Sequence, residues 1–387
     1  MNVGIDAISV ATAHYRLPLP ALAEATGVDP NKYTIGLGQQ HFSVPAPDED
    51  TVTMAADAVA QLIGRTGTDE VRSIFFATES SVDQSKAAGV FLHGLLGLPE
   101  HVRTVEFKEA CYGGTAALQC ALALVARNPE ERVIVVASDV ARYAIDSPGE
   151  PTQGAGAVAM MVSASPRIMA IEQKTGVYTK DVNDFWRPND SSTPFVLGHL
   201  SMDAYLDAFT GAWDDFAARN PGVKSTDFAR FVHHQPFQKM ARKAHRQLMS
   251  YTGDGRGDEI IEAGLHYSAQ VGNCYTAALY WGIVSLLTHD SGLAGERIGL
   301  FSYGSGAVSE FFVGRPAARY AEHVDGAAID ATLASREKID FSTYRALHEE
   351  RHVDSRDYAT PHVTGAPYRF AGVKDHARRY ERNKRVA

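Results

Sequence analysis

The stretch KEACYGGTAALQC, residues 108–120, sets a cysteine between a charged pair and a run of small and apolar residues. With RTVEF before it and a helical pattern after it, Cys111 falls where a strand ends and a helix starts. The first amides of a helix lack intrahelical partners and the dipole is positive there, so both favour a thiolate over a thiol. Gly113 and Gly114 leave room for close approach, and Ala116, Ala117 and Ala121 suit a helix in a crowded interior. The alternative for Cys111 is a plain core position, which free cysteines often occupy. Cys120 and Cys274 read as structural.

A nucleophile needs partners. FFATES, ending the run 71–80, and FVHHQPF, within 228–237, are comparable strand ends that carry Glu79 and His234. Asn273 precedes TAAL at 276–279, nearly the place that Cys111 holds before TAAL at 115–118. A thiol, a carboxylate, an imidazole and an amide thus come to one candidate site. His233 rivals His234: strand alternation sends one into the site and the other into the opposite layer, and the pattern alone does not choose.

The elements that must position these groups alternate in type. VRSIFFATES (71–80), ERVIVVASD (131–139), FARFVHHQPF (228–237) and ERIGLFSYGSG (296–306) read as buried strands. Helical patterns cover 51–64, 83–96, 114–127, 201–219 and 275–288. The order implies an α/β protein. The two TAAL matches, and G-x-GAV at 154–158 and 304–308, recur in the same order, which indicates a duplicated core over roughly 1–165 and 200–315. Neither glycine pair has the third glycine or the G-K-[ST] of a nucleotide loop, so both read as tight turns at strand ends. A more polar segment follows, and RRYERNKR (378–385) reads as a solvated helical tail or edge.

Composition narrows the function classes. A chain of 387 residues with 45% hydrophobic and 21% charged residues has the profile of a soluble globular protein. A net charge of −9 argues against a general nucleic-acid or anionic-membrane surface. Three cysteines without C-x-x-C fit a reducing cytosol better than a disulfide framework. MNVGIDAISV lacks the features of a signal peptide, and the apolar run 277–287 is too short to span a bilayer. HEERH at 348–352 matches the zinc motif H-E-x-x-H, but in a polar tail segment without an evident third ligand.

Ordered blocks run along nearly the whole chain: VDPNKYTIGLGQ (28–39), ATESSVDQSKA (77–87), KEACYGGTAALQ (108–119), SDVARYAIDSPGEPTQGAGAVAM (138–160), DFWRP (184–188), HQPFQKM (234–240), GNCYTAALY (272–280) and LFSYGSGAVSEFF (300–312). In these blocks the chain resembles the 3-hydroxy-3-methylglutaryl-CoA synthase family of the thiolase superfamily. The resemblance implies a duplicated thiolase-like fold, layered αβαβα, with two mixed sheets and a C-terminal helical extension. Residues 1–165 would form one half with Glu79 and Cys111, and 166–315 the other with His234, Asn273 and Ser305; 316–387 would be the extension.

By the same resemblance, the family's histidine selects His234 over His233. The implied reaction joins acetyl-CoA to acetoacetyl-CoA: Cys111 carries the acetyl group, Glu79 is the base, and His234 with Asn273 orients the acetoacetyl group. The Cys111 amide and an amide near Ser305 would form the oxyanion hole. Acyl-CoA contacts would fall on Asp29, Thr152, Ser201, His234, Lys239, Lys243, Asn273 and Ser305, with Tyr143 shaping the site. No metal or redox cofactor is implied; coenzyme A thioesters are the substrates, and a cytoplasmic homodimer serving the mevalonate pathway is expected. The rivals are a decarboxylating ketosynthase, which needs no base at Glu79, and a β-branching synthase of polyketide assembly, which takes acyl groups from a carrier protein. A non-catalytic CoA-binding protein would be expected to lack part of the Cys–Glu–His set.

Overall fold

The computed structural model describes residues 2–349 and 357–383. Its main sheet has ten strands. From the first part of the chain come, in spatial order, Arg103–Phe107, Val71–Ala77, Arg132–Ala141, Gly154–Ser163 and Gly4–Thr12. Met169–Ile171, Val308–Pro316, Ile298–Gly304 and Arg230–His233 continue the order, and Gly176–Thr179 pairs with Val308–Pro316. The repeat seen in the sequence has a structural counterpart. Val71–Ala77 runs parallel to Arg132–Ala141, which is antiparallel to Gly154–Ser163. Arg230–His233 runs parallel to Ile298–Gly304, which is antiparallel to Val308–Pro316.

Each of these strands has two buried faces, which is why they read as unbroken apolar runs. In the first half, Phe75, Val133, Val135 and Met160 face the centre of the molecule, whereas Ile74, Phe76, Ile134 and Met161 face outward. In the second half, Val232, Leu300 and Phe312 face the centre, and Phe231, Phe301 and Phe311 face the opposite outer layer. Each fully buried side chain of this size contributes roughly 1.5–3 kcal/mol. The helices Gly113–Arg127 and Ala278–His289 fill the centre. A Cβ on Gly114 would lie 2.6 Å from the Thr276 carbonyl oxygen, so glycine is what lets the two helix starts meet. Thr51–Thr66 and Ala88–Leu96 cover one outer face, and Gly198–Arg219 and Gln238–Thr252 the other. The result is the five-layer order αβαβα.

Three expectations need correction. The two sheets are not separate: Met169–Ile171 pairs with Gly4–Ile5 on one side and Gly314–Pro316 on the other, joining the ladders. The helix expected over 83–96 starts only at Ala88, because the Asp83 carboxylate accepts from the amides of Ser85 (2.8 Å) and Lys86 (2.7 Å) and holds a turn there. The C-terminal extension is only partly helical. Gly326–Ser335 and Phe341–Glu349 are helices, but Tyr358–Ala359, Tyr368–Lys374 and Ala377–Arg382 form an antiparallel sheet, so the basic segment starts as a strand. Of HEERH, His348 bonds the Tyr143 carbonyl (2.9 Å) and Gln153 (3.1 Å); Glu350 and His352 lie outside the described residues. Among the described residues, no helix is long and apolar enough to cross a membrane.

Candidate active site

The turn from the strand Arg103–Phe107 into the helix Gly113–Arg127 displays Cys111. Ala110 adopts φ 40°, a left-handed conformation uncommon for a residue with a Cβ, and reverses the chain there. The helix begins at Gly113, two residues past the thiol, and Tyr112 and Gln119 fix it by donating to Glu310 at 2.8 Å each. Glu79 follows the neighbouring strand Val71–Ala77. The Cys111 thiol donates to Glu79 Oε1 at 3.0 Å.

Asp139, fully buried at the end of an apolar strand, holds this arrangement. One carboxylate oxygen accepts from Thr78 Oγ1 (2.8 Å), the Glu79 amide (2.9 Å), and the Ser80 amide (3.0 Å) and hydroxyl (2.6 Å). The other accepts from the Thr276 amide (3.0 Å) and hydroxyl (2.5 Å), at the start of the second central helix. Asp184, also fully buried, accepts from Tyr303 OH and the Gly306 amide, both at 3.0 Å, and so anchors the turn that carries Ser305. That turn lies against the cysteine turn: a Cβ on Gly304 would be 2.5 Å from the Glu109 carbonyl oxygen and 2.7 Å from the Tyr112 nitrogen. Sequence reasoning missed these two acids. The available signal was a lone acid inside VIVVASDVA and inside NDFW.

The electrostatics correct one expectation. Burial raises the Glu79 carboxyl to about 8, helped by the charge of Asp139; the Cys111 thiol and Arg187 oppose the rise. The Cys111 thiol is also pushed well up, first by burial and then by the Glu79 carboxylate. The helix start therefore does not produce a resting thiolate: Cys111 lies ahead of the first helical turn, beside an acid. At neutral pH the resting pair is therefore a thiol beside a largely protonated carboxyl, which can accept a proton only once it has ionised.

A cavity of about 620 Å³ opens over the thiol. Cys111, Tyr143, Thr152, Ser201, His234, Lys243, Asn273 and Ser305 all line it. His234 follows the strand Arg230–His233; its amide donates to the Phe301 carbonyl (2.7 Å) and its carbonyl accepts from Tyr205 OH (2.7 Å). Burial lowers its imidazole to about 3, so it is neutral at working pH. Asn273 accepts from the Tyr275 amide at 2.9 Å and sits 3.4 Å from Tyr143 OH. His233 points into the outer layer, among Phe209, Phe231, Phe301 and His245. Asp29 and Lys239 are exposed and do not border the cavity. Lys239 is nevertheless tied to its rim, since its amide donates to the carbonyl of Leu37, a lining residue (3.1 Å). Glu79 borders a second cavity of about 800 Å³ on the far side of the pair.

Comparison with known proteins gives one family. The profile of the hydroxymethylglutaryl-coenzyme A synthase N-terminal region matches residues 1–166, and that of the C-terminal region matches 169–256 and 253–362. The hydroxymethylglutaryl-CoA synthase of Enterococcus faecalis is 42% identical over 354 residues, covering 90% of this chain and 92% of the relative. A polyketide-biosynthesis 3-hydroxy-3-methylglutaryl-ACP synthase of Bacillus subtilis is 30% identical over 371 residues, covering 90% of this chain and 88% of the relative. A crystal structure of an HMG-CoA synthase complexed with CoA superposes with a TM-score of 0.94 at 38% identity, covering 99% of this chain and all of that one.

Proposed function

The chain belongs to the hydroxymethylglutaryl-CoA synthase family, and from that premise we propose that it condenses acetyl-CoA, acetoacetyl-CoA and water to 3-hydroxy-3-methylglutaryl-CoA and CoA. The observation that carries this reading is the 3.0 Å contact of Cys111 with Glu79 beside a cavity lined by His234. As the Cys111 sulfur attacks the acetyl thioester, its proton passes to Glu79, and CoA leaves as the thiol. Glu79, again ionised, then takes a proton from the acetyl methyl. The resulting enolate carbon attacks the ketone of acetoacetyl-CoA, and the new alkoxide regains a proton from Glu79. The amides of Cys111 and the Ser305 turn hold the developing oxyanion. His234, being neutral, orients and polarises the ketone as a hydrogen-bond donor, and Asn273 assists. Water frees the product from Cys111.

Lys243, at the cavity, and Lys239, exposed on the same helix, suit the phosphates of a CoA arm. Tyr143, Thr152 and Ser201 form the acyl-binding wall, and Asp29 serves the outer end of the arm. Residues 1–165 and 166–315 act as the two half-domains of this site, with 316–387 as the extension. Acyl and proton transfer of this kind require neither a metal nor a redox cofactor. A place in the cytoplasm and the mevalonate pathway follows from the same premise.

We assign the homodimer contact to the sheet edge at Arg103–Phe107, where Val105 is 45% exposed; the opposite edge strand, Arg230–His233, is largely buried. A base beside the thiol favours this reaction over a decarboxylating ketosynthase, whose carbanion arises by loss of CO₂. The higher identity to the Enterococcus faecalis enzyme favours free CoA over a carrier protein. The test is incubation with acetyl-CoA, then with acetoacetyl-CoA, followed by protein mass and product mass. One acetyl group on Cys111, chased into 3-hydroxy-3-methylglutaryl-CoA, is expected; absence of label on Cys111, or transfer only from an acyl carrier protein, would reject the reading.

A further inference from the structure

The Cys111–Glu79 pair divides two cavities. Cys111 borders the one lined by His234 and Asn273, and Glu79 borders the other. Phe185, Pro194, Tyr275 and Ser305 line both, so the two cavities share part of their walls. The two differ in character. On the thiol side are Leu37, Tyr143, Phe237 and Met240; on the carboxylate side are Ser81, Gln84, Lys108 and Asn189.

The proposed reaction needs water once, to hydrolyse the acyl group from Cys111. At that moment the thiol-side cavity holds the acyl group and the CoA arm. Water must therefore arrive from elsewhere, and the polar cavity opens directly on the base. We infer that this second cavity, bordered by Ser81, Gln84, Lys108 and Asn189, is the water inlet of the enzyme and delivers the hydrolytic water to Glu79 from the side opposite the CoA arm. This rests on the reading of Cys111 and Glu79 given above. In the step itself, Glu79 takes one proton from water and the oxygen bonds to the thioester carbonyl carbon. The C–S bond breaks, Cys111 leaves as thiolate and recovers that proton from Glu79, and the acid product loses its own proton to solvent.

The experiment follows hydrolysis of isolated acetyl-enzyme. In the unmodified protein, a saturating CoA analogue that lacks the thiol should leave the deacetylation rate within about twofold of its free value, since water does not share the substrate's path. Deacetylation that stops when the analogue binds would overturn the inlet. Ser81→Trp and Asn189→Trp, on two walls of the polar cavity, should accept acetyl groups from acetyl-CoA at the native rate yet deacetylate at least about tenfold more slowly. Native deacetylation in both variants would likewise overturn it. If neither variant folds, the analogue measurement decides alone. A protein that never takes up the acetyl group contradicts the assignment of Cys111 instead, so the two failures are distinct.

Discussion

Glu79 has an unusual protonation because burial and Asp139 act on it in the same direction, raising its carboxyl to about 8. In the role proposed for it the ionised form is the base, so condensation by pre-acetylated enzyme should rise with pH and level off above about 8. Single-turnover kinetics across that range checks this; a flat profile would contradict it. The same shift sets a stability trend. Between its ordinary value of 4.5 and about 8, the folded protein binds this proton and the unfolded chain does not, so the group's contribution to stability is lost as pH rises through that window. Glu79→Gln should form acetyl-enzyme more slowly, since the thiol loses its proton acceptor, and once fully acetylated should lose about 10²–10⁴ in condensation rate, read by protein and product mass. His233 behaves in the opposite sense. Neither of its ring nitrogens has a partner among the described residues, and burial holds its imidazole far below 6.5. The unfolded chain takes up that proton first, so stability falls as pH drops below about 6.5. In His233→Leu this slope should shrink, measured by thermal melts near pH 5 and pH 7, while acetylation persists; a slope unchanged by the substitution would place the acid sensitivity elsewhere. The types and strand-end positions of Cys111, Glu79 and His234 were legible in the sequence. The raised thiol was not, because it depends on which acid the fold brings within 3.0 Å.

The elements show where pattern reading succeeds and where it fails. Strands buried on both faces, such as Arg132–Ala141, announce themselves as apolar runs between polar ends. The C-terminal hairpin does not. Its strands carry Arg369, Arg378, Arg379 and Arg382, and its turn is Asp375–His376, both at positive φ, in place of the Asn-Gly or Asp-Gly that usually marks such a turn. What holds this sheet to the body is equally invisible in one dimension. Asp48, fully buried, accepts from the amides of Val363 (2.9 Å) and Thr364 (3.1 Å) and pairs with Arg369 at 3.3 Å. Asp48→Ala leaves two amides without their acceptor and Arg369 with Glu381 alone (2.5 Å), and should cost about 1–3 kcal/mol in urea unfolding. A loss below about 1 kcal/mol would show that the sheet is held by its apolar contacts alone. The helix Phe341–Glu349 is bound closer to the chemistry. Tyr344 donates to Glu150 at 2.7 Å and accepts from Gln153 at 2.7 Å, bracing the segment that carries Tyr143 and Thr152.

At the scale of the molecule, the two halves share one sheet, one central helical layer and one reaction centre. The proposed pairing with a second copy belongs to this scale too. Val105→Pro removes a backbone donor from the edge strand Arg103–Phe107 and should turn a dimer into monomers by light scattering, with the helical signal retained. A dimer that survives the substitution would move the contact off this edge. Asp139 has a consequence for how the protein comes into being on the ribosome. Its two oxygens serve different parts of the chain, one the Glu79 loop and the other Thr276, and 137 residues separate it from that threonine. A nascent chain that ends before Thr276 has the thiol and the base already translated, but the clasp that aligns them is half empty. The clasp around the thiol and its neighbouring acid is thus completed only when the later half docks.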